Sequence, residues 1–85
     1  MTGEVELIGG WVQVAFADEF SNAADTSRYQ VFVTSYDPAS VFVHNRTPTG
    51  FEIHALDGRS RKPPARMSCA YYVLARRLQG ESLDR

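Results

Sequence analysis

The sequence predicts an all-β fold, a six-stranded antiparallel β-sandwich formed by a single domain, and three observations predict it. Gly, Pro, Asn and Asp punctuate the chain every eight to twelve residues, the spacing of short strands joined by turns. The segments between them are rich in Val, Phe, Tyr and Ile, the residues that fit a pleated surface. Within those segments apolar side chains recur at every second position, the period of a strand with one buried face.

Taken in order, the strands fall at residues 4–8, 11–16, 29–34, 41–45, 51–56 and 70–76. The second places Val12, Val14 and Phe16 on one face, the third Tyr29, Val31 and Val33, and the fourth Val41 and Val43. Phe51, Ile53 and Ala55 continue that face on the fifth, and Tyr71, Val73 and Ala75 on the last, so these residues are the expected core. Residues 18–25 suit a single helical turn, and Leu74-Ala75-Arg76-Arg77-Leu78 would accept a helix as readily as a strand; the strand is the reading taken. Residues 57–66, too long for a tight hairpin and stiffened by Pro63 and Pro64, form a surface excursion.

An 85-residue chain holds one hydrophobic core, and a core of that size needs support from elsewhere. Cys69 is the only cysteine, so an internal disulfide is excluded, and no Cys and His cluster offers a structural zinc site. Oligomerisation is the remaining source of support. A net charge of −1 gives no general attraction to nucleic acid, and no apolar run reaches the length of a membrane-spanning helix. The start, Met1-Thr2-Gly3-Glu4, lacks the basic and apolar regions of a signal peptide. The expectation is therefore no nucleic-acid partner, no membrane insertion and no cofactor.

The second face of the sheet is not polar. It carries Phe32, Phe42, Leu56, Tyr72 and Leu74, which are either scattered exposed apolar residues or a surface covered by a partner. Phe32, Phe42, Tyr72 and Leu74 are the candidate subunit interface.

The run Arg46-Thr47-Pro48-Thr49-Gly50-Phe51-Glu52-Ile53 reads as a hairpin: Pro48 and Gly50 turn the chain and Phe51 returns to the core. Together with Tyr29-Gln30-Val31-Phe32-Val33-Thr34 before it and Tyr72-Val73-Leu74-Ala75-Arg76-Arg77 after it, this run resembles the C-terminal tip domains of bacteriophage tail-fibre and related bacterial proteins. The order of elements is also similar to that of the H-type lectins, six-stranded sandwiches assembled as trimers. The resemblance covers residues 11–77 and implies a homotrimer with one sheet of each protomer facing the three-fold axis, placed on a virion tail fibre or otherwise outside the cell. H-type lectins hold N-acetylgalactosamine with a Trp-His pair soon after the Gly-Phe strand. Here that place reads Leu56-Asp57-Gly58-Arg59, so no lectin site residue carries over by position.

Candidate binding residues therefore come from the loops. Tyr36 and Asp37 pair an aromatic with a carboxylate in the turn between the third and fourth strands, a common way to stack on a sugar and accept its hydroxyls; Asp37-Pro38 is also ordinary turn chemistry. Asp57, Arg59 and Arg61 on the long loop add a carboxylate and two of its four cations, the others being Lys62 and Arg66, where an anionic polysaccharide could be met by charge-assisted hydrogen bonds. His44 and His54 share the face opposite Val43 and Ile53, where a three-fold axis could gather them around a metal, although two isolated histidines are more often ordinary polar residues. No nucleophile, base and orienting acid stand in a recognisable motif, so no enzyme is expected. Two functions follow: a carbohydrate-binding fibre tip, or a structural cap that registers three chains of a longer fibre and binds nothing.

Overall fold

The structure, a computed structural model, describes residues 1–78. Six antiparallel strands, β1 (Thr2–Ile8), β2 (Trp11–Ala15), β3 (Ala24–Ser35), β4 (Ala39–Thr47), β5 (Gly50–Asp57) and β6 (Arg66–Arg77), form one sheet, with a short helix α1 (Asp18–Ala23) between β2 and β3. The order across the sheet is β3-β6-β1-β2-β5-β4. β3 and β4 are consecutive in the chain yet stand at its two ends, so the sheet curls until its edges meet and is nearly closed. All six expected strands are present and the segment ending at Arg77 is extended; β3 and β6 run longer than their apolar alternation suggested.

Alternation sets the inside. Leu7, Val14, Phe51, Ile53, Cys69 and Val73 are buried at the centre, and Val5, Val12, Val31, Val33, Val41, Val43 and Tyr71 close around them. Phe51 is the hub of the aromatic packing, with ring centroids 6.0 Å from Phe16, 6.3 Å from Tyr29 and 5.7 Å edge-on from Tyr71. The helix begins without a side-chain cap, and Asp18 and Glu19 in its first turn face the positive end of its dipole. Phe20 then packs on Phe16 at 5.0 Å, covering that end of the core. Cys69 is fully buried, and burial pushes its thiol up, which removes the thiolate a nucleophile would need.

Two turns fix the registers that matter for the surface. Gly9 and Gly10 both have positive φ, 67° and 88°, the geometry of a two-residue hairpin that glycine adopts without strain, and it sets Trp11 opposite Ile8. At the other end, a Cβ on Gly50 would collide with the Val14 carbonyl oxygen, so only glycine lets β5 start this close to β2. The pairing Trp11↔His54 through Ala15↔Gly50 follows.

The edges are tied by side chains where the ladder stops. The Tyr29 hydroxyl donates toward the carbonyls of Thr47 and Gly50, both at 2.8 Å, and Arg46 Nη1 donates to the Tyr29 carbonyl at 2.9 Å. Tyr29→Phe keeps the ring packing and leaves those carbonyls without this donor, so it should lower stability by about 1 kcal/mol. Urea unfolding monitored by circular dichroism measures this as a lower midpoint at unchanged slope.

Candidate functional site

The outward side of β2, β5 and β4 carries a row of rings. The register pairs Trp11 with His54 and His54 with Phe42, so three aromatic side chains stand on adjacent strands, a shelf about 10 Å long at ordinary strand spacing. The rings align: His54 lies 5.9 Å from Trp11 at 23° and 5.7 Å from Phe42 at 19°. Trp11 and Phe42 are 47% and 46% exposed, and Ile8, paired with Trp11, extends the row onto β1.

Polar groups flank the shelf on one side. His54 Nε2 lies 2.8 Å from Glu52 Oε1; a carboxylate only accepts, so Nε2 carries the proton in this contact. Asn45 Nδ2 donates to the other Glu52 oxygen at 3.3 Å, from a position with φ of 55° in a bulge of β4. His44, opposite Glu52, meets His54 edge-on at 5.3 Å, and Gln13 is paired with Glu52 from β2. The hydrogen bond from His54, then that from Asn45, hold the Glu52 carboxyl below its ordinary value. An exposed apolar shelf beside an ionised carboxylate and amide and imidazole donors can stack a sugar ring and bond its hydroxyls. Among the described residues no group of three or more His, Cys, Asp or Glu could hold a metal ion.

This arrangement carries a pH dependence. The folded Glu52 pKa lies below the unfolded one, so its contribution to stability is present above the ordinary carboxyl value of 4.5 and is lost as pH falls through the lower folded value. Asp25 and Asp57, also held low by hydrogen bonds, act in the same direction. The melting temperature should therefore fall steadily below about pH 4.5, and Glu52→Gln should flatten part of that fall.

The candidates taken from the loops gather at one end of the barrel. The β3–β4 turn holds Tyr36 and Asp37, the β5–β6 loop holds Arg59 and Arg61 just beyond Asp57, and a bond from Gly58 N to the Pro38 carbonyl at 3.2 Å joins the two. Their polar groups are largely engaged within the fold. The Tyr36 hydroxyl donates to Glu4 at 2.7 Å, Asp37 closes a turn with the Ser35 hydroxyl, and the Asp57 carboxylate accepts the amides of Arg59 and Ser60 at 2.8 and 3.0 Å. The side chains of Asp37, Arg59 and Arg61 make no hydrogen bond or ion pair among the described residues.

The candidate interface residues fall into two groups. Phe32 and Tyr72 stack at 6.1 Å on β3 and β6, with Leu74 on the same outward side, whereas Phe42 belongs to the shelf. Trp11 and Glu52 were not legible as site residues: they lie 41 positions apart in the chain, and only the strand register brings them together.

Compared with family models, curated proteins and solved structures, the chain matches none.

Proposed function

We propose that this domain is a non-enzymatic, trimeric fibre-tip module that recognises cell-surface carbohydrate, on a virion tail fibre or otherwise outside the cell. The observation that carries the reading is the Trp11–His54–Phe42 row with the Glu52 carboxylate beside it. A row of exposed aromatic rings is costly to leave in water and well suited to the flat apolar face of a sugar. The resemblance of the strand and hairpin motifs to tail-fibre tips and H-type lectins points the same way. β1 and β2 are paired only at Ile8↔Trp11, which divides the nearly closed sheet into two three-stranded leaves, β3-β6-β1 and β2-β5-β4.

In this reading the leaf that carries Phe32, Tyr72 and Leu74 packs about the three-fold axis and the leaf that carries Trp11 faces outward. Two measurements test it. A glycan array probed with the intact chain should give a hit that Trp11→Ala removes, and light scattering should give the mass of three chains. An array without any Trp11-dependent hit would remove the carbohydrate claim. The second reading, a cap that only registers three chains, is favoured by the Phe32–Tyr72 stack and predicts a trimer that binds no glycan.

A further inference from the structure

The outer surface has a second concave feature, away from the aromatic shelf. β3 and β4 face each other across the unpaired edge of the sheet, and each leaves its own ladder by a bulge, β3 between Ala24 and Tyr29 and β4 between His44 and Thr47. Bulges of this kind re-aim side chains and open the sheet. The result is a groove of about 820 Å³ whose walls include Arg28, Arg46 and Arg76, with Asp25 the one carboxylate among the described residues that line it and Pro48 as apolar surface.

Arg28 and Arg46 along one groove with a single carboxylate among its described lining, in a chain whose net charge is −1, make a local excess of positive charge without counting Arg76. Arg28 makes no hydrogen bond or ion pair among the described residues. Arg46 uses Nη1 on the Tyr29 carbonyl, which leaves the rest of its five-donor fork available. Asp25 offsets one of these charges: its carboxylate accepts the amide and hydroxyl of Ser27, and those bonds first, then Arg76 and Arg28, hold it ionised below its ordinary value. A groove this size is far larger than a lone anion needs and falls in the range of oligomeric or drug-sized ligands.

We propose that this groove binds an acidic oligosaccharide, whose carboxylate or sulfate groups pair with Arg28 and Arg46 while a ring face lies on Pro48. The planar guanidinium fork matches both oxyanions in bidentate geometry. The class of ligand rests on the carbohydrate reading above, whereas the surface is a separate one, so the two can fail independently.

The test is calorimetric titration of the whole chain with four probes: a galacturonate tetrasaccharide, a heparin-derived tetrasaccharide, neutral maltotetraose and an oligothymidylate. At least one acidic tetrasaccharide should bind about tenfold or more tightly than the neutral one, and more weakly as salt rises from about 50 to 200 mM. Binding of the galacturonate probe means that carboxylates suffice, and binding of the heparin-derived probe alone, which carries carboxylates as well as sulfates, means that sulfate is required. Arg28→Glu, at an exposed position, should weaken that binding by about tenfold or more, and Trp11→Ala should leave it within about twofold. Arg46→Gln, checked for folding by its melting curve, should act in the direction of Arg28→Glu. Equal binding of acidic and neutral probes, indifference to Arg28→Glu, or tighter binding of oligothymidylate would each overturn the proposal. Loss of every Trp11-dependent glycan with the Arg28-dependent one intact would instead remove the shelf reading alone.

Discussion

Phe51→Ala should cost about 3–5 kcal/mol, a large share of the domain's stability. Phe51 is 1% exposed and packs against Phe16, Tyr29 and Tyr71 at once. Truncating a buried phenylalanine costs about 3–5 kcal/mol, because the lost burial is joined by a cavity the neighbours fill only in part. A domain of this length has roughly 4–13 kcal/mol in total. The damage also spreads along the chain, since the Tyr29 hydroxyl bonds the Gly50 carbonyl next to Phe51 and ties β3 to β4. Urea unfolding should show the midpoint moved to markedly lower concentration. Phe51→Leu, which keeps most of the volume, should lose clearly less. A fully folded Phe51→Ala with an unchanged midpoint would mean that the aromatic cluster is not the centre of the core.

Trp11→Ala should abolish measurable binding of the glycans that stack on the shelf while the domain stays folded. Trp11 is the largest side chain of the shelf and is 47% exposed on the sheet's outward side. Removing a central aromatic from a binding surface typically costs about 2 kcal/mol or more, roughly a 30-fold loss of affinity. Most of the ring lies outside the core, so stability should change by about 0.5 kcal/mol or less. His54→Ala should give a smaller loss, because it removes the middle ring and frees Glu52 from one partner without removing Trp11. Comparable losses of binding and of stability in Trp11→Ala would point to a structural role for the ring.

The strands were legible because alternation and turn residues are local signals. Val12-Gln13-Val14, Tyr29-Gln30-Val31 and Phe51-Glu52-Ile53 state their inner and outer faces within three residues, and Phe32, Phe42, Tyr72 and Leu74 do lie outward and exposed. The start of β6 was hidden. Arg66-Met67-Ser68-Cys69 has the same alternation, but the preceding Pro63-Pro64 and the basic residues read as one long loop, so Met67 and Cys69 were missing from the expected core. The site was hidden for a different reason. His44 and His54 could be placed on one outward face from the hairpin alone, whereas the joining of Trp11 to His54 depends on how β2 aligns with β5. That register is held by the bond from Ala55 N to the Gly10 carbonyl at 2.8 Å and by the contact of Gly50 with Val14, and one sequence without its pairings does not contain it. The groove was hidden in the same way, since both of its bulges are departures from regular pairing.

The same tryptophan offers the most direct test of the carbohydrate reading. Trp11 is the only tryptophan in the chain, so intrinsic fluorescence reports on the shelf alone. Titration of the intact chain with the glycans that score on an array should change its emission saturably, with a blue shift as a sugar ring replaces water over the indole. The half-saturation point should agree with the affinity measured by calorimetry, and Phe42→Ala should raise it. Binding by calorimetry of the glycans whose array signal Trp11→Ala removes, with no change in Trp11 emission, would place the sugar elsewhere and contradict the shelf as the site of recognition.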